Sequence, residues 1–243
     1  MNPKEQAVCD AAVEFVKKHK KELLLSLADI QQVPTDVAPV AIFMAGSPGA
    51  GKTEFAEDFL KLSTRDWKGI VFIDPDRLRN LMPNYGGANA HLFQKAVSRL
   101  VSELYSCVLK QKQSFLLDGT MSSLGQAEQN IDRALRNGYQ VYIFYVYQDP
   151  VSAWKFTQAR EKTEGRRIKK DTFIQQFFAA PTVVNTIKAQ YKKKVTVKLI
   201  LKDIYHTTKQ FEKNVDVIDN YIKHSYTEET LENLLHDAYD ISN

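Results

Sequence analysis

Long apolar runs are missing from this chain of 243 residues; nothing approaches the roughly 18 consecutive apolar residues that a membrane-spanning helix needs. Cysteine is scarce too. Cys9 and Cys107 stand far apart, with no CxxC pair and no His/Cys cluster. That removes a disulfide framework and a zinc ribbon, and leaves a reduced, cytoplasmic protein as the plain expectation. Met1 to Gln31 holds no apolar core followed by a small-residue cleavage site, which argues against a secretory signal peptide. A bacterial effector exported by a specialised machine has the same appearance, so export stays open. An excess of one charge is also lacking: 33 basic against 29 acidic residues leave a net charge of +4. This suits an anionic ligand and is too small to argue for nucleic acid by itself. Repeats and low-complexity tracts are absent. What is present, 44% hydrophobic and 26% charged residues, is ordinary for a globular protein whose core needs no disulfide or metal staple.

Asn2 and Pro3 read as a cap and a first helical residue. From there Val8, Ala12, Phe15, Val16, Leu23, Leu24 and Leu27 recur at helical spacing up to about Ile30. Pro34 and Pro39 bracket a linker, after which the pattern changes. Short apolar runs at Val40–Ala45, Ile70–Ile73, Phe115–Leu117, Val141–Tyr147 and Val195–Leu201 alternate with helical stretches at Thr53–Leu62, Leu92–Leu109 and Ser123–Arg136. Lys198 interrupts the last run, as in an edge strand. Leu92, Ala96, Leu100, Leu104 and Val108 line one helical face, and Asn137-Gly138 ends the next helix. Strands alternating with helices imply an α/β three-layer sandwich on a mostly parallel, five-stranded sheet. A final amphipathic helix is expected after Thr227, through Leu231, Leu234, Leu235 and Ala238. We therefore expect one domain over residues 1–243: an N-terminal helix in 1–33, a nucleotide-binding core over 40–201 and a helical extension over 203–243.

The segment Gly46-Ser47-Pro48-Gly49-Ala50-Gly51-Lys52-Thr53 satisfies GxxxxGK[ST]. Its glycines let successive backbone N–H groups turn toward phosphate oxygens. The lysine reaches the β- and γ-phosphates, the threonine hydroxyl ligates Mg²⁺, and the helix that follows adds its positive end. An apolar strand before the motif and a helical pattern after it are the context this loop requires. A bound ATP with Mg²⁺ is the expectation.

Two further strands end in acids. Ile73-Asp74-Pro75-Asp76-Arg77-Leu78-Arg79 follows the second strand. Polar residues beyond the carboxyl end of a parallel strand fall near the phosphate loop. Asp74 before Pro75 reads as a helix cap or a secondary ligand. Asp76, in the first turn, either complements the helix dipole or takes the proton of an attacking hydroxyl, and Arg79 shares its face. Phe115-Leu116-Leu117-Asp118-Gly119-Thr120 ends as a Walker B strand does, with Asp118 as a Mg²⁺ ligand or simply part of an Asp-Gly turn. Thr120 either meets the acceptor or caps the helix near Ser123.

Six of the eleven residues from Arg160 to Lys170 are basic. Such a run is either a solvated surface or, in a phosphoryl transferase, the source of charge for the transferring group. Arg160 and Arg167 are the candidates, since a guanidinium grips phosphate bidentately. Gly165 would let the segment close over the nucleotide as a lid.

Assembled, these residues resemble the zeta toxin family of phosphate-loop kinases from about Val40 to about Phe178. The resemblance rests on Gly46–Thr53, the Asp-x-Asp-x-x-Arg run at Asp74–Arg79, the Leu-Asp-Gly-Thr segment and the arginines flanking Gly165. It implies a loop strand beside the Walker-B-like strand, and ATP-dependent phosphorylation of the 3′-hydroxyl of a UDP-activated N-acetylhexosamine, with an antitoxin or inhibitor protein as partner. It further implies that Lys52 binds phosphates, Asp76 is the base, and Arg160 and Arg167 clamp the γ-phosphate. Asp74, Arg79, Asp118 and Thr120 would then meet the acceptor. Family members often carry Glu where Asp118 stands, and the two arginines lie closer together here, which leaves Arg166 or Arg167 as the second clamp. Three other readings stand beside this one: a 5′-hydroxyl polynucleotide kinase with a channel built from Arg160–Lys170 and Lys192–Lys194, another small-molecule kinase, and an ATP-binding interaction protein that transfers nothing.

Overall fold

The computed structural model describes residues 1–63, 69–203, 208–222 and 226–235. In chain order the elements are α1 (Pro3–Leu27), β1 (Val40–Ala45), α2 (Lys52–Ser63), β2 (Val71–Ile73), α3 (Pro75–Asn80), α4 (Ala90–Gln111) and β3 (Phe115–Leu117). They continue with α5 (Leu124–Arg136), β4 (Gln140–Tyr147), α6 (Pro150–Glu164), α7 (Lys170–Tyr191), β5 (Val195–Lys202), β6 (Thr208–Lys213) and α8 (Glu228–Leu234). The sheet runs β2-β3-β1-β4-β5-β6, with every pair parallel except β5 and β6. Parallel neighbours need a crossover, and the helices between the strands supply it. β1 lies between β3 and β4, so the chain leaves it toward both halves of the sheet, and ligands bind at such a switch point.

All six residues of β1 are buried, because both faces of the strand are covered. Ala41, Phe43 and Ala45 face a large core with α4, α5 and α7, against which α1 adds Ala12 and Val16. Val40, Ile42 and Met44 face a smaller one closed by Ala56, Phe55 and Phe59 of α2. The period-2 alternation of a strand makes this division. Every member of the apolar stripe read on α4, from Leu92 to Val108, is buried. A third cluster joins α6, α7 and α8 through Trp154, Phe173, Phe177 and Leu231.

The sheet departs from expectation at its far side. β5 is not an edge strand; β6 pairs antiparallel outside it, in register Leu199 with Glu212 and Leu201 with Gln210. The segment after Asp203 is therefore a strand first and a helix second, not a purely helical extension. α8 follows its Thr227 cap, which bonds Thr230 N at 3.1 Å, while Ala238 lies outside the described residues. Among the described residues no helix is long and apolar enough to cross a membrane.

Candidate phosphoryl-transfer site

The loop between β1 and α2 fits against neighbouring backbone. Gly46 has φ 129°, and a Cβ there would stand 2.1 Å from the Val146 carbonyl oxygen of β4. Gly49 has φ 71°, and its Cβ would meet the Ala153 carbonyl oxygen of α6 at 2.1 Å. Neither position accepts a side chain without moving the loop. Gly46 N–H donates to Thr120 O at 3.1 Å, tying the loop to the end of β3. Ser47 and Lys52 are buried, and the Lys52 ammonium folds back to donate to Ser47 O at 2.7 Å. Burial first, and then Arg160 and Arg166, lower the Lys52 pKa to about 8 against the pull of Asp118 and Glu54.

Asp118 ends β3 directly beside the first turn of α2. Its Oδ2 accepts from Thr53 Oγ1 at 2.7 Å, whereas Oδ1 is buried without a hydrogen-bond partner. Burial raises the Asp118 pKa, opposed by the Lys52 ammonium and the Thr53 hydroxyl. A buried carboxylate oxygen with no donor asks for a cation. Among the described residues no group of three His, Cys, Asp or Glu side chains is arranged to hold a metal alone. A single carboxylate plus a hydroxyl suits Mg²⁺ instead, which takes its remaining ligands from water and phosphate oxygens. Thr53 and Asp118 fit that role.

Asp74 caps α3: its Oδ1 accepts from Asp76 N at 2.8 Å. Burial and then the charge of Asp118 raise its pKa to about 6. Asp76, in the first turn of the helix, faces three guanidinium groups. Arg79 donates to Oδ1 at 2.6 Å; Arg160 stands 3.5 Å from Oδ2, and Arg166 also pairs with Oδ2. Burial alone would raise the Asp76 pKa, but Arg166, Arg79 and Arg160 together outweigh it and hold the carboxyl below its usual range. Arg79 is buried and also donates to Gln94 Oε1 at 3.2 Å, so it is fixed from two sides. Arg160 further pairs with Glu164 at 3.0 Å. Arg167 turns the other way: its nearest carboxylate is Glu161 at 3.9 Å, and the side chain is 60% exposed. The reason is local. Gly165 ends α6 in the left-handed conformation, and of the two residues after it Arg166 faces Asp76.

Two cavities meet here. One, of about 440 Å³, holds Lys52, Thr53, Asp76, Arg160 and both arginines after Gly165. The other, of about 390 Å³, lies between α4 and α5 and is floored by Phe43, Leu117 and Met121. Its walls are Gln94, Ser98 and Ser102 on α4 against Gln126, Asn130 and Arg133 on α5. Pro75, Gln94, Asp118, Gly119 and Thr120 belong to both. Thr120 Oγ1 is within 2.9 Å of Ser122 Oγ at this junction, and Ser123 is the residue at the α5 cap position.

The structure thus gathers Lys52, Thr53, Asp74, Asp76, Arg79, Asp118, Thr120, Arg160, Arg166 and Arg167 around one cavity, which the loop residues Pro48 and Gly49 also line. It does not gather the two basic segments. Lys192–Lys194 form a turn at the far end of α7 from Lys170, 22 residues and so roughly 33 Å away along the helix. They lead into the start of β5, while the site lies at the ends of the strands. The channel expected from both segments is not formed. Gln94, which holds Arg79, and the polar cavity beside it are not evident from the sequence. Positions 94, 98 and 102 share one helical face, but a solvated stripe shows the same spacing.

The family model for zeta toxin matches residues 25–220 of this chain. Among solved structures, the chain is similar to one from the PezAT chromosomal toxin-antitoxin system of Streptococcus pneumoniae, with TM-score 0.64 and 16% identity over 97% of this chain and 88% of that one. It is also similar to a chain of the AvrRxo1-ORF1:AvrRxo1-ORF2 complex with sulphate ions, with TM-score 0.63 and 14% identity over 95% and 81%. A chain of that complex with ATP gives TM-score 0.61 at 14% identity over the same shares. At these identities the likeness is one of fold. No curated protein sequence matches the chain.

Proposed function

Because the chain belongs to the zeta toxin family, we propose that it is a kinase that moves the γ-phosphoryl group of ATP to a hydroxyl of a small acceptor, in the first instance a UDP-activated amino sugar. One observation carries this reading: the phosphate-loop cavity and the neutral cavity adjoin, sharing Pro75, Gln94, Asp118, Gly119 and Thr120 in their walls, with Asp76 lining the charged one alone. ATP lies with its phosphates along the loop, and the acceptor enters between α4 and α5. The acceptor hydroxyl loses its proton to Asp76 as its oxygen bonds to the γ-phosphorus. The bond from that phosphorus to the bridging oxygen breaks, and ADP leaves with the electron pair.

In the resting chain both Asp76 oxygens are engaged by guanidinium groups. The incoming triphosphate competes for Arg160 and Arg166, which frees Oδ2 to accept a proton and puts two forks on the transferring group. Arg79, held by Gln94, stays and keeps Asp76 oriented. Lys52 exchanges Ser47 O for phosphate oxygens. Thr53 and Asp118 would hold Mg²⁺, which would supply charge neutralising the phosphates when bound. On this reading Arg166, rather than Arg167, is the second clamp. A protein inhibitor belongs to the proposal as well, because the PezAT chain comes from a toxin-antitoxin system.

The test is transfer from γ-labelled ATP to a panel of UDP-sugars, free sugars and 5′-hydroxyl oligonucleotides. Label on a UDP-amino sugar is the expected result. Label on the oligonucleotide would replace this reading with a polynucleotide kinase, and ATP binding without any labelled product would leave a non-catalytic binder.

A further inference from the structure

Eight arginines lie among the described residues, and seven of them have a carboxylate within 4.0 Å. The exception is Arg133 on α5. Its guanidinium lies over the Tyr105 ring, 4.7 Å from the centroid, and donates one hydrogen bond, at 2.8 Å, to Ser106 Oγ. Tyr105 is itself fixed, its hydroxyl donating to Asn130 O at 2.6 Å. A guanidinium carries five donors, so four are unspent on protein side chains. Arg133 is half-buried and lines the neutral cavity, where the only other charged residue is Asp118 at the opposite, shared end.

A guanidinium fixed over an aromatic ring, with donors to spare and no carboxylate beside it, is placed to take the oxygens of an anion. We propose that Arg133 is the specificity-determining residue of the acceptor cavity, and that it reads a phosphate or diphosphate on the acceptor. This rests on the reading of that cavity as the acceptor site. The position of the charge follows from α4. Gln94, which holds Arg79 beside Asp76, and Tyr105, which carries Arg133, are separated by three helical turns, roughly 16 Å. The anion therefore sits on a part of the acceptor other than the group that is phosphorylated. Between the two ends the walls are hydroxyls and amides, with Gln94 donating to Ser98 Oγ at 3.3 Å and Gln126 to Asn130 Oδ1 at 3.1 Å. Such walls suit an uncharged polar body of the sugar type. The planar fork of arginine grips phosphate oxygens in a way lysine does not, which is why the residue type matters.

The test compares wild type, Arg133→Gln and Arg133→Lys in transfer from labelled ATP to UDP-N-acetylglucosamine and to free N-acetylglucosamine. For the charged acceptor, Arg133→Gln should raise KM by about 10- to 100-fold, the range for a lost charge-assisted hydrogen-bonding partner. Arg133→Lys should recover part of that loss. KM for ATP, kcat, and the low efficiency toward the neutral sugar should stay within about 3-fold of wild type. If both variants keep the wild-type KM for the charged acceptor, Arg133 merely packs on Tyr105 and the proposal is overturned. If Arg133→Gln does not fold, Arg133→Lys decides alone: a KM equal to that of wild type, or a loss shared equally by the neutral sugar, overturns it. Wild-type enzyme that labels neither acceptor would remove the acceptor reading itself, and Arg133's role with it.

Discussion

The two cavities treat charge in opposite ways. The phosphate-loop cavity brings five cations and three further carboxylates together around one carboxylate base, while its neighbour has hydroxyls, amides and apolar floor residues between the shared Asp118 and a single guanidinium. Burial in the first, reinforced by like charges alongside, lowers the pKa of Lys52 to about 8 and raises that of Asp74 to about 6. In the second, the shape of the groove and its hydrogen-bonding groups carry recognition. The difference teaches that transfer and selection are separable in this fold: chemistry depends on the loop, α3 and the α6–α7 turn, selection on the facing sides of α4 and α5.

Lys52→Ala gives the largest expected effect. It deletes the one ammonium at the loop while leaving the strand–loop–helix backbone intact, so transfer should fall to background with little change in melting temperature. Retained turnover would show that the charged cavity is not where the phosphoryl group moves.

Asp76→Asn should lower single-turnover rate by about 10² to 10⁴, the range for losing a general base. ATP should bind no more weakly than to wild type, because Arg160 and Arg166 lose the anion that engages them at rest. Weaker ATP binding measured by calorimetry would contradict the exchange of arginines from Asp76 to phosphate.

Arg166→Lys and Arg167→Lys sharpen the comparison within the charged cavity. Arg166 faces Asp76 and should cost about tenfold or more in turnover, since lysine keeps the charge and loses the fork. Arg167 points to Glu161 and should cost less than about threefold. The reverse order would return the second clamp to Arg167.

Much of this was legible in the sequence because it is local. The strand before Gly46 and the helix from Lys52 follow from an apolar run, glycines and a helical period, and Asp74-Pro75 announced a cap that the Asp76 N–H now occupies. What was hidden depends on contacts distant in sequence. β6, Thr-Lys-Gln-Phe-Glu-Lys, has no apolar alternation because it is an exposed edge whose pairing with β5 is a matter of backbone. α7 carries Pro181 inside it and is mixed in polarity, which blurs its period. Arg166 and Arg167 are adjacent and chemically alike, and only the turn at Gly165 separates their directions. Arg133 looked like any other polar residue on an exposed helix face.

Asp74→Asn is the smallest expected effect and has a definite sign. The folded carboxyl titrates near 6 and the unfolded one near 3.9, so the folded chain binds more protons between those values. Stability therefore falls as pH rises through that window, and the penalty persists above it. Asn caps a helix as well as Asp does. The variant should be more stable than wild type at pH 7 by about 1–3 kcal/mol, with the gain gone below about pH 4. A pH-independent difference in denaturant midpoint would show that burying Asp74 beside Asp118 costs the fold nothing here.

The most direct test of the two-cavity account is to fill the neutral cavity and leave the charged one alone. Val101 lines that cavity on α4 and is absent from the other. For Val101→Trp, calorimetric titration with ATP and transfer to the acceptor that wild type labels should be measured on the same preparation. The account expects wild-type ATP affinity together with a loss of transfer through a raised acceptor KM. Wild-type ATP affinity with undiminished transfer would contradict it, because the acceptor would then reach the γ-phosphate by another route.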